Sequence, residues 1–108
     1  MLKNKLRLKR NKEFSYIYRK GGKTKGRYIT IYAIRGSREM KIGFSLSKKV
    51  GNAVVRNLYK RRLHELFKDL LPTMKVSKYV VVASPLIKDA SFQELKADVL
   101  STVRKLNS

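Results

Sequence analysis

The chain has no cysteine, two prolines, one histidine and only seven acidic residues among 108. The missing cysteine excludes disulfides and thiolate metal sites, neither of which an intracellular protein needs. The lone His64 has no second histidine nearby in sequence, so a histidine pair for metal or general-base work cannot be assembled. No two of the seven carboxylates fall as a close pair on one predicted face beside basic residues, and there is no Ser-His-Asp arrangement and no glycine loop of phosphate-cradling type. A nuclease acting alone needs such a carboxylate or histidine set, so a self-contained active site is not expected. The longest apolar run, Tyr79 to Ala83, is far too short to span a bilayer. The opening MLKNKLRLKR has no apolar run of secretion-signal type, and a soluble cytoplasmic protein is expected.

Positive charge is what the chain has in excess. Its formal net charge is +20, while its hydrophobic fraction of 43% is ordinary for a folded protein. Residues 1–62 hold 20 Lys or Arg against Glu13 and Glu39, whereas residues 63–108 hold seven against five acids. Such a chain repels itself when compact and seeks a polyanion, through particular elements rather than a uniform coat. The length suits one domain over residues 1–108, with 1–10 as a basic N-terminal arm.

Periodicity predicts the elements. Asn11 is placed to cap a first helix, with Glu13 in its first turn, Phe14, Ile17 and Tyr18 at helical spacing, and Gly21-Gly22 at its end. A basic loop runs on to Gly26, with room for one more short strand near Lys23 to Lys25. Tyr28 to Ile34 reads as a strand with Ile29, Ile31 and Ala33 on one face and Tyr28, Thr30 and Tyr32 on the other. Gly36-Ser37 marks a hairpin turn into a second strand, Lys41 to Ser47, with Ile42, Phe44 and Leu46 on its apolar face. The opposite face of both strands is left open to a partner. A long helix starts at Asn52 and stops before Pro72. Tyr79 to Ser84 is apolar on both faces, which suits a central strand, and Pro85 closes it. Ser91 and Glu94 form a capping box for a last helix with a stripe of Leu95, Val99 or Leu100, Val103 and Leu106. The fold class is α+β: one mixed sheet packed by helices, order α-β-β-(β)-α-β-α, with a parallel pairing made by crossover through the long helix.

The long helix carries the clearest functional signal. At about 100° per residue, Val55, Tyr59, Leu63, Leu66 and Leu70 share one sector, and Asn57, Lys60, Arg61, His64 and Lys68 gather on the other side, with Arg56 at the boundary. A charged helix face is commonly just solvated surface. Here the acidic partners that usually balance such a face are nearly absent before Glu65, and Lys48-Lys49 stands just ahead of the helix N-terminus, where backbone amides attract phosphate. Arg supplies a fork for phosphate oxygens, Lys a point charge, and Asn a donor and an acceptor for a base edge or a 2′-hydroxyl. His64 reads as a surface residue able to gain charge near phosphate. Phe14 and Tyr18 share a helix face. With Tyr32, which alternation turns away from Ile29 and Ile31, they form a candidate stacking platform for single-stranded nucleic acid. The competing reading puts Phe14 and Tyr18 in the core. Tyr59 reads as core, and Tyr16 and Tyr28 are left unassigned.

The run Lys48-Lys49-Val50-Gly51-Asn52-Ala53-Val54-Val55-Arg56-Asn57 followed by Lys60-Arg61 resembles the signature of the protein component of bacterial ribonuclease P. RLKRNKEF (7–14) and Phe44-Ser45-Leu46-Ser47-Lys48-Lys49 extend the resemblance over nearly the whole chain. The resemblance implies a left-handed β-α-β crossover, against the general right-handed rule. It implies a ribonucleoprotein endonuclease for tRNA processing, whose catalytic RNA performs magnesium-dependent hydrolysis at the 5′ end of mature tRNA. The magnesium is bound mainly by that RNA and none by the protein alone. The partners implied are the catalytic RNA and precursor tRNA, with no membrane and no obligate protein partner. By position, Lys48, Lys49, Arg56, Asn57, Lys60, Arg61 and His64 would face RNA, and Phe14, Tyr18 and Tyr32 would bind the 5′ leader. His64 stands where the family often has another basic residue, and Tyr18 where phenylalanine is common. The alternative functions are a ribosomal-type RNA-binding protein or RNA chaperone and, less well supported for want of an acidic site, a protein-only nuclease. An anionic membrane surface fits poorly, because neither the arm nor the long helix offers a broad apolar face.

Overall fold

The computed structural model describes residues 4–34 and 36–108. Residues 1–3 of the expected basic arm lie outside the described residues. Helix α1 spans Asn11–Lys20 and is followed by strands β1 (Gly22–Lys25), β2 (Ile29–Ile34) and β3 (Lys41–Leu46). Helix α2 (Ala53–Leu70), strand β4 (Lys78–Ala83) and helix α3 (Phe92–Asn107) complete the order. The strands form one mixed sheet in the order β1-β2-β4-β3. β1 with β2 and β2 with β4 are antiparallel, while β3 and β4 run parallel, joined through α2. The short strand near Lys23 is therefore real, and β4 is central as its two apolar faces require.

The hairpin expected at Gly36-Ser37 does not form. β4 lies between β2 and β3, so the two strands are never neighbours. The reason is burial: Val80 and Val81 are both fully buried on opposite faces of β4, and only a central strand can bury both.

The alternation along β4 separates two apolar layers. Tyr79, Val81 and Ala83 join the main core with Ile29, Ile31, Ile42 and Phe44 of the sheet, with Tyr59, Leu63 and Phe67 of α2, and with Leu95, Val99 and Val103 of α3. Val80 packs with Ile17 of α1 and Leu8 of the arm on the other face. That second face was expected to be open; α1 covers part of it. Burying Ile17 completely is worth about 2–3 kcal/mol toward holding α1 there, and Glu13 reaches Lys78 of β4 at 3.4 Å.

Local sequence fixes the element ends. Asn52 caps α2, its side chain accepting from the Val55 amide at 3.0 Å. Ser91 and Glu94 make the reciprocal box at the start of α3. Asn11 is not the cap of α1: the helix begins on it, and Arg10 stands at the cap without a side-chain bond. The Asp98 carboxylate accepts from the amides of Arg27 and Tyr28 at 2.8 and 2.7 Å, tying the β1–β2 turn to α3. Tyr28 is buried in the main core, contrary to strict alternation, because it precedes β2 at this clamp.

Candidate nucleic-acid interface

Strand β3 is an edge of the sheet, and the chain wraps around that edge. The arm pairs with it at one point, Arg7 with Ile42 in parallel, the Leu8 amide donating to the Ile42 carbonyl at 3.0 Å. Leu6 packs on the main core and Leu8 on the other face, so the arm straddles the edge. Beyond it α1 approaches β3 from one side and α2 from the other. Gly43 makes the first approach possible: a Cβ there would overlap the Phe14 ring and reach Leu8 Cβ at 3.0 Å.

Between α1 and α2 lies a groove of about 550 Å³. The α1 wall supplies Asn11, Phe14, Ser15 and Tyr18; the floor is Phe44, Ser45 and Leu46 of β3; the α2 wall is Ala53, Arg56, Asn57 and Lys60. Three aromatic rings, two cations and two amides thus meet in one open cleft, and no carboxylate lines it. The Arg56 Nε is buried with no hydrogen-bond partner among the described residues. Buried donors are ordinarily paired, and a phosphate oxygen is a suitable acceptor for a guanidinium.

The residues singled out in the sequence divide into groups. Phe14, Tyr18, Arg56, Asn57 and Lys60 come together in the groove. Tyr32 does not line it. It stands half-buried behind Tyr18, with ring centroids 5.2 Å apart and planes at 86°, and supports that ring edge-on. Lys48 and Lys49 are exposed in the turn that leads into α2, and Arg61 is exposed on the outer side of the helix beyond Lys60. These three cations stand outside the groove lining and extend the positive surface on the α2 side.

His64 is a correction. The expected surface histidine is 2% exposed, with its ring on Phe44 at 4.6 Å between centroids. Phe44 in turn meets Phe67 at 5.6 Å. Burial, then the nearby charges of Arg7 and Lys60, push the His64 pKa down to about 4, against a smaller opposite pull from Glu65. The imidazole is neutral at physiological pH and cannot offer charge to phosphate. It braces the groove floor through Phe44, on which its ring lies. On the helical wheel the buried stripe is therefore wider than the sector of Val55, Tyr59, Leu63, Leu66 and Leu70, taking in Phe67 and His64.

Sequence reasoning missed Asn11, Ser15 and Phe44 as groove residues. Asn11 and Ser15 sit one turn before and one residue after Phe14 on the same helix side, so a wheel centred on Phe14 and Tyr18 would have included them. Phe44 gave no such signal, because its alternation marks it as core, and it is both core and floor.

The family model for Ribonuclease P matches residues 2–107. The chain belongs to the ribonuclease P protein family. It is 35% identical over 107 residues to the ribonuclease P protein component of Geobacillus kaustophilus, covering 96% of this chain and 88% of that relative. The Staphylococcus aureus RNase P protein superposes with a TM-score of 0.85 at 29% identity, covering 94% of both chains. The Thermotoga maritima RNase P protein shares the fold with a TM-score of 0.80 at 19% identity, covering 94% of this chain and 98% of that one. The mixed α+β sheet with its three helices is thus the ribonuclease P protein fold, and the family's role in tRNA processing as part of a ribonucleoprotein applies to this chain. No helix among the described residues is long and apolar enough to cross a membrane.

Proposed function

We propose that this chain assists the removal of 5′ leaders from precursor tRNA by holding the single-stranded leader in the α1–α2 groove while a catalytic RNA breaks the bond. The observation that carries the reading is the lining of the groove: stacking rings on the α1 wall and floor, phosphate-binding cations and an amide on the α2 wall, and no acid. Bases stack on Phe14 and Tyr18, with Tyr32 keeping Tyr18 upright. Arg56 and Lys60 meet the backbone, and Asn57 and Asn11 offer amides to base edges. Outside the groove, Lys48, Lys49 and Arg61 neutralise phosphates of the catalytic RNA with release of counterions.

The hydrolysis belongs to the RNA in this reading. Among the described residues no three His, Cys, Asp or Glu side chains gather to hold a metal, and the groove has no carboxylate. In this reading the RNA holds the magnesium, and the protein's part is binding and orientation. The working place of such a particle is the cytoplasm, with precursor tRNA as substrate and the catalytic RNA as partner.

Reconstitution tests this. A bacterial ribonuclease P RNA transcript at low magnesium is incubated with precursor tRNA, with and without the protein. Strong stimulation by the protein, and no cleavage by the protein alone, is the expected result. Cleavage by the protein alone that mutation of its own residues abolishes would move the chemistry into the protein. No stimulation would favour a ribosomal-type RNA-binding role.

A further inference from the structure

Helix α1 has a second face that the groove does not use. Phe14 and Tyr18 turn into the groove and Ile17 into the sheet. Lys12, Tyr16 and Arg19 fall within about 60° of arc on the side turned away from the sheet, next to the groove wall, with Lys20 beside them. All four are exposed, and Tyr16 keeps 49% of its surface open. The one acid of this helix, Glu13, is turned to Lys78 on the sheet. The outward face is therefore cationic without an acid of its own, and rigid, since Ile17 anchors the helix.

We propose that this outward face of α1 is a second RNA-binding surface, specific for the backbone of duplex RNA, set beside the groove on the same helix. Lys12 and Arg19 are about 10 Å apart along the helix axis, so they can meet separate phosphates. The Tyr16 hydroxyl between them can donate to or accept from a 2′-hydroxyl. Duplex fits better than single strand here. Unstacked bases need a platform of several rings, which the groove has and this convex face lacks. A duplex keeps its bases paired and presents only phosphates and 2′-hydroxyls, for which two or three fixed cations and one hydroxyl suffice. Helix α1 would then be a wall shared by two RNA segments, one single-stranded and one helical.

The experiment uses the full chain and a blunt 12-base-pair RNA duplex in fluorescence anisotropy across a salt series. Lys12→Gln/Arg19→Gln/Lys20→Gln is compared with Lys75→Gln/Lys88→Gln/Lys96→Gln, which removes the same charge from exposed positions elsewhere. The α1 variant is expected to bind the duplex about tenfold more weakly than the control variant, with the slope of log K against log salt reduced by about 2 to 3. Affinity for a single-stranded 8-mer should be alike in the two variants. Equal duplex affinities for both variants would overturn the proposal, as would a loss confined to the 8-mer. Tyr16→Phe, a mild surface change, is the second arm. It should lower the preference for RNA duplex over DNA duplex several-fold, and an unchanged preference would overturn the assignment of Tyr16 to the 2′-hydroxyl.

Discussion

Replacing His64 by Phe should remove most of the difference in stability that the protein shows between pH 7 and pH 5. The imidazole is buried on Phe44 and its pKa falls from the ordinary 6.5 to about 4. The native state holds it neutral, whereas the unfolded chain binds its proton below about pH 6.5. The unfolded state therefore gains protons that the native state refuses, and stability is lost as pH falls from 6.5 toward 4. With these two values, the contribution of the group changes little above pH 7, is lower by about 2 kcal/mol at pH 5, and levels off below pH 4 after a loss of about 3 kcal/mol. Phenylalanine keeps a ring against Phe44 and does not titrate. Its altered packing carries a cost that does not depend on pH, and the carboxylates titrate alike in both proteins, so both drop out of the comparison. Thermal melts of the two proteins at pH 7 and pH 5 and constant salt read the effect. The wild type should lose about 10 °C more than His64→Phe over that interval. Parallel losses would mean that His64 is accessible and titrates normally, and would refute its role as a buried brace of the groove floor.

Three further outcomes follow from particular contacts. Gly43→Ala should drive the Phe14 ring out of its place over β3, costing about 1–3 kcal/mol of stability in denaturant titration and weakening single-strand binding in the same sample; retained binding would show that Phe14 is not held by this approach. Asp98→Ala should cost about 3 kcal/mol, because two backbone amides lose a charged acceptor, and amide exchange at Arg27 and Tyr28 should rise with it. Asn52→Ala should cost about 1 kcal/mol by leaving the Val55 amide uncapped, with no change in the residues of the groove floor.

Much of this architecture is legible in the residue order, because local rules govern it. The limits of α2, the capping box of α3 and the central place of β4 each depend on residues within a few positions of one another. The parts that are not legible depend on residues far apart. Nothing near Gly36 says that β4, more than 40 residues later, will come between β2 and β3. His64 lies among polar residues on the wheel, and only the arrival of Phe44 from β3 makes its position interior. Gly43 looks like a small residue on an open face until α1 is laid across it. The same holds for function: Arg56 and Lys60 announce themselves by charge, and Asn57 by its place on the same helix face. Phe44 and the support given by Tyr32 to Tyr18 follow only from how helix and edge strand meet.

The account rests on the groove as the holder of the leader, and its most direct test is the ratio of affinities for precursor and mature tRNA. The protein, assembled with catalytic RNA, is compared with Phe14→Ala and Tyr18→Ala in the same assembly. Loss of one stacked base is worth about 1–3 kcal/mol, so each substitution should cut the preference for precursor by about 5- to 150-fold while affinity for mature tRNA stays near its original value. A preference unchanged in both variants, or an equal fall in affinity for precursor and mature tRNA, would contradict the account.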